Sequence, residues 1–132
     1  MRFALVPIVL LGLSEICGCR PSQPKLEVGA LYSVDDGEGH YRIAKILALD
    51  DRGVHMRLYK KKFSTRPATA DPSSLTLGSV DDADGFGMGH LPLTRRAFLA
   101  WEPVFIAPGV VSAEELDGYE IWKEGGGYFG DE

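Results

Sequence analysis

The 132 residues suffice for one domain of ordinary size and not for two, and 45% hydrophobic with 25% charged residues excludes a disordered tail. A formal net charge of -5 excludes wholesale nucleic-acid binding, which needs clustered Lys and Arg to neutralise phosphates. Cys17 and Cys19 are the only cysteines, so the rest of the chain has neither a disulfide framework nor a cysteine metal site.

Met1-Arg2 is a short positive lead into the apolar run 3–13. That run has the length of a signal-peptide core and falls short of the roughly 20 residues a membrane-spanning helix needs. Ser14-Glu15 separates it from Ile16-Cys17-Gly18-Cys19. This tetrad resembles the lipobox of bacterial lipoprotein precursors: a branched apolar residue, a middle residue, a small residue, then the cysteine. Cys17 stands where that family usually has alanine or serine. The resemblance implies that the Cys19 thiol receives a diacylglycerol and that the peptide before it is removed. Cleavage before Cys17 would put Ile16 in the small-residue slot, whereas cleavage before Cys19 puts Gly18 there. Arg20, in place of an aspartate, implies outer-membrane sorting by resemblance to enterobacterial lipoproteins. The expected organisation is a signal peptide over 1–18, a tether over 19–26 with Pro21 and Pro24 extending it, and one globular domain over 27–132. An ordinary signal peptide and a buried first strand are the alternatives.

Sixteen glycines and eight prolines favour short strands with many turns. Residues 31–34 read as a strand that ends at the turn cluster Asp35-Asp36-Gly37-Glu38-Gly39. Residues 41–49 form a long strand with Ile43, Leu47 and Leu49 on one face and Ala44, Ile46 and Ala48 on the other. Such a strand is covered on both sides. Asp50-Asp51-Arg52-Gly53 turns the chain into a strand over 54–59, with Val54, Met56 and Leu58 inward and His55, Arg57 and Tyr59 outward. Gly29-x-x-Tyr32, Asp36-Gly37-x-Gly39 and Tyr41-x-Ile43 resemble the opening strands of SH3-like barrels of the Tudor or KOW type, over residues 28–59. That resemblance implies a mainly β (α+β) fold: a small SH3-like, partly open barrel with two short helices in the C-terminal half.

Beyond Lys60, a polar connection through Pro67 and Pro72 leads to an expected short strand around 75–80 and a glycine-rich loop over 81–90. Thr94 caps a short helix through Ala100, with Leu93 and Phe98 spaced as a hydrophobic staple. Residues 103–107 read as a buried strand. Ser112-Ala113-Glu114-Glu115 is a capping box for a helix over 113–124, which Gly125-Gly126-Gly127 terminates. The tail 128–132 folds back through Phe129 or frays.

Motifs for chemistry are missing. His40, His55 and His90 stand in no metal-ligand spacing, and the acidic loops at Asp35-Asp36 and Asp81-Asp82 match no complete calcium loop. There is no G-x-S-x-G nucleophile elbow and no phosphate-binding loop. The reading is therefore of no catalytic residue, no metal and no cofactor. Arg57, Lys60, Lys61, Lys62 and Arg66 form a basic ridge beside Tyr59 and Phe63, set against the acids Glu114, Glu115, Asp117 and Glu120 of the last helix. The ridge with Tyr59 is the candidate binding surface. The leading expectation is a non-enzymatic protein-binding module, lipid-anchored in the cell envelope and held at the membrane by Cys19. One form of it is an immunity-type protein that neutralises a secreted toxin. A structural factor that contacts anionic lipid or cell-wall polymer through the ridge is the second expectation. A small hydrolase or metal-dependent enzyme relying on His40 or His90 is the third.

Overall fold

The computed structural model describes residues 25–130. The expected signal peptide, Cys19 and the tether up to residue 24 lie outside the described residues. No helix among those described is long and apolar enough to cross a membrane.

Five antiparallel strands make one open sheet in the order β4-β3-β2-β1-β5. They are β1 (Leu31–Asp35), β2 (Tyr41–Leu49), β3 (Gly53–Leu58), β4 (Met88–Thr94) and β5 (Val104–Ala107). Two short helices, α1 (Arg95–Ala100) and α2 (Asp117–Glu124), complete a mainly β, α+β domain. The first three strands follow from local chemistry. Asp35 and Asp36 accept the Gly37, Glu38 and His40 amides and so close the first turn. Asp50 accepts the Arg52 and Gly53 amides and closes the second. Both faces of β2 are buried, as its double apolar pattern requires: Ala44 and Ile46 on one side, Ile43 and Leu47 on the other.

The main core lies between one sheet face and α1. Tyr32, Val34, Ile46, Val54, Met56 and Phe98 are its largest wholly buried members. Tyr32 meets Phe98 edge-on, with ring centroids 6.3 Å apart at 87°. The Thr94 hydroxyl accepts the Ala97 amide at 3.1 Å and fixes the start of α1, while Leu93 and Phe98 are both buried. At the N-terminal end, the Tyr32 hydroxyl donates to the Lys25 carbonyl and accepts the Glu27 amide. The chain therefore enters the domain at a fixed point.

Several expectations over the second half are corrected. Residues 75–80 form no strand; a 3-10 turn at Pro72–Ser74, capped by Asp71, precedes an irregular segment. The glycine-rich loop is shorter than expected, because Met88, Gly89 and His90 already belong to β4, whose first residue, Met88, pairs with Leu58 of β3. β5 is not buried: as the edge strand it leaves Val104 and Phe105 48% and 47% exposed. The helix expected over 113–124 begins as a separate 3-10 turn, Glu114–Leu116, before α2. The capping box itself forms. The Ser112 hydroxyl accepts the Glu115 amide at 3.2 Å, and the Glu115 carboxylate accepts the Ser112 amide at 2.9 Å.

Candidate functional site

The residues of the expected basic ridge do not share one surface role. Lys60 donates to Asp82 and Asp84 at 2.8 and 2.9 Å. These bonds raise the pKa of Lys60 and hold both carboxyls below the usual carboxylate range. Arg57 lies 3.9 Å from Glu115, whose two carboxylate oxygens are each 3.0 Å from the Lys45 ammonium. Burial works to raise the Glu115 carboxyl, but the Ser112 amide and Lys45 outweigh it and the net shift is downward. Arg66 turns toward β1 and the turn after α1: one guanidinium nitrogen donates to the Ser33 carbonyl and hydroxyl, both at 2.9 Å, and to the Glu102 carbonyl at 3.0 Å. Its guanidinium also covers the Tyr41 ring at 4.7 Å. Tyr59 is buried, not outward, and burial pushes its phenol up. A register irregularity between Met56 and Leu58 breaks the alternation just before it. Lys61 and Lys62 remain exposed.

The histidines hold a larger correction. His55, expected on an outward face, is fully buried. Its Nε2 lies 2.9 Å from the Asp50 carboxylate, and its Nδ1 lies 3.1 Å from Nε2 of His90. With Asp50 ionised, His55 donates from Nε2 and leaves Nδ1 to accept from His90. Burial works to raise the Asp50 carboxyl, but the bonds from His55 and the Arg52 and Gly53 amides bring it below its ordinary value. Burial, with the neighbouring His55, lowers His90 to about 4. Tyr119 and Trp122 of α2 and Phe129 of the tail pack on the His55 ring, with centroids 4.6, 4.4 and 5.2 Å away. The tail thus folds back through Phe129. No nucleophilic side chain joins this chain of polar groups, and among the described residues no cluster of three ligand side chains could hold a metal. Its evident work is to give a buried imidazole two partners while α2 and the tail close over it.

A different surface is concave. An open groove of about 1050 Å³ runs between α1, β5 and the chain entry, lined by Leu26, Arg66, Arg95, Leu99, Glu102 and Val104 among others. Arg96 also lines it. The guanidinium hydrogen bonds of Arg66 and Arg95 end on carbonyl or hydroxyl oxygens, so neither charge is set against a carboxylate there. Among the described residues of the expected site, only Arg66 belongs to this groove. Arg95 and Arg96 were legible as a basic pair, but nothing local said that Arg66 would join them.

Glu102 at the groove rim is the only non-glycine among the described residues with a positive φ, 54°. It follows the end of α1, a position that glycine usually fills. Glu102→Gly is expected to stabilise the domain by about 0.5–1 kcal/mol, since relief of the left-handed conformation exceeds the added entropy of the unfolded chain. Urea denaturation of the two proteins checks this; a loss of stability would show that the carboxylate makes up the difference.

No protein-family model, curated protein or solved structure matches the chain.

Proposed function

We propose that the chain is a lipid-anchored envelope protein, tethered through Cys19, whose domain is a non-enzymatic protein-binding module. The observation that carries this is the arginine-lined groove beside an open sheet edge. A concave, partly apolar surface with a few convergent charges is suited to recognition. Leu26 lines the groove, so the site would stand close to the end of the tether and face whatever the envelope presents. The strand order, with β5 returning beside β1 and α1 preceding it, supports an SH3-like architecture for the module.

The test is affinity capture of the acylated protein from crosslinked envelopes of its own host, with a Cys19→Ser chain as the untethered control. One dominant protein recovered in near-stoichiometric yield is the expected result. Recovery of lipid or cell-wall polymer alone would overturn the reading in favour of an envelope factor acting through Lys61 and Lys62. Metabolic labelling of the wild-type chain by a palmitate analogue, lost in Cys19→Ser, checks the anchor in the same samples.

A further inference from the structure

We propose that the groove and the open edge of β5 together receive an extended, acidic segment of a partner protein, which adds to the sheet as a further strand. This rests on the binding-module reading and names the chemistry of the partner.

The two edges of the sheet are treated differently. At β4 the tail covers the C-terminal end of the edge in a single bridge beside Leu93: the Gly130 amide donates to the Pro92 carbonyl and the Thr94 amide to the Gly130 carbonyl, both at 2.9 Å. Among the described residues no segment does the same for the outer side of β5. An uncovered edge presents unpaired amides and carbonyls, and strand addition is the recognition mode that uses them. Pro103 and Pro108 bracket β5 and limit the available edge to four residues. That length admits a short docked strand and works against open-ended self-association. Val104 and Phe105 offer half-exposed apolar surface for the incoming side chains to cover.

Charge selects the occupant. Among the described residues Arg66 and Arg95 line the groove beside the carboxylate of Glu102, in a chain whose net charge is -5. Lys60 and Lys45 meet carboxylates elsewhere, whereas the Arg66 and Arg95 bonds end on neutral oxygens. An acidic segment would set carboxylates against these two guanidinium groups. A second copy paired edge to edge would bring one arginine groove against another, and like charges so placed are unfavourable.

The probe is a labelled peptide of alternating glutamate and valine, titrated by fluorescence anisotropy against the full chain in neutral detergent micelles. It is expected to bind, while its lysine counterpart and a version N-methylated at alternate residues each bind at least about tenfold more weakly. Arg95→Glu should weaken the acidic probe about tenfold. An acid is favourable in the first turn of a helix, so this variant keeps α1, which circular dichroism checks. Equal binding of the parent and N-methylated probes would overturn strand addition. Equal binding of acidic and basic probes would overturn the charge argument. Binding to phosphatidylglycerol vesicles with no peptide binding would assign the face to lipid, and a dimer strengthened by Arg95→Glu would assign it to a second copy. If wild type and Arg95→Glu capture the same partner equally from envelopes, the binding-module reading stands and the groove drops out of it.

Discussion

Acidification from pH 7 to pH 4 is expected to remove about 2 kcal/mol of stability through His90 alone. In the folded chain burial and the neighbouring His55 hold this imidazole to about 4, against an ordinary value of 6.5. Above 6.5 both folded and unfolded chains carry it neutral, and pH has no purchase on it. As pH falls through 6.5 the unfolded chain takes up a proton that the folded chain refuses, so the equilibrium moves toward unfolding. The loss levels off below about 4, where both forms are protonated. The full interval corresponds to at most about 3 kcal/mol; because His90 is only partly buried, solvent screening reduces this to about 2. Asp50 remains ionised through that window, since its own value is depressed, and it adds a further loss only at lower pH.

The consequence is local before it is global. His90 sits on β4 against His55 of β3, with Tyr119 and Trp122 of α2 packed on both rings. A positive charge on His90 acts directly on the docking of α2 and the tail. Urea denaturation at a series of pH values, read by tryptophan fluorescence, is the measurement. His90→Gln, which keeps a donor for His55 and cannot take up the proton, should flatten the curve between pH 7 and 4. An unchanged slope in that variant would place the titration elsewhere.

Gly29→Ala is expected to cost about 3–5 kcal/mol, the sum of a backbone strain and a steric contribution. Gly29 has φ of 90°, which L side chains rarely adopt, and an added Cβ would stand 2.1 Å from the Gly109 carbonyl oxygen. That oxygen is backbone and cannot swing aside, so the two crossing segments would have to separate. The Gly29 amide also donates to the Ile46 carbonyl at 2.7 Å, which ties the crossing to β2. Gly37 separates the two contributions. Its φ is 77°, yet a Cβ added there would meet nothing within 4 Å, so Gly37→Ala should cost only about 1 kcal/mol. Equal losses at the two sites, measured by urea denaturation, would remove the steric half of the argument. The crossing joins the chain entry, whose Leu26 lines the groove, to the segment that leaves β5.

What could be read from the sequence is what neighbours along the chain decide. The bounds of β1, β2 and β3, the Thr94 cap, the Ser112–Glu115 box and the stop at Gly125 each depend on side chains and amides a few residues apart. Two-residue alternation likewise placed Val54, Met56 and Leu58 inward, and the same alternation put His55 outside. Up to Met56 the alternation holds; the face opposite Val54 is simply not solvent, because α2 and Phe129 cover it. Lys60 and Arg57 belonged to the expected basic ridge, but the loop bearing Asp82 and Asp84 closes on the first and Glu115 lies beside the second. The sequence by itself determined the first three strands, the turns between them and the caps at Thr94 and Ser112, since dihedral preference and capping act over one turn of chain. The tertiary structure alone decided which charges are satisfied and which histidine is buried. It also decided which edge the described residues leave open and where arginines from separate segments converge. Those outcomes depend on docking between segments tens of residues apart, and no local preference encodes that distance.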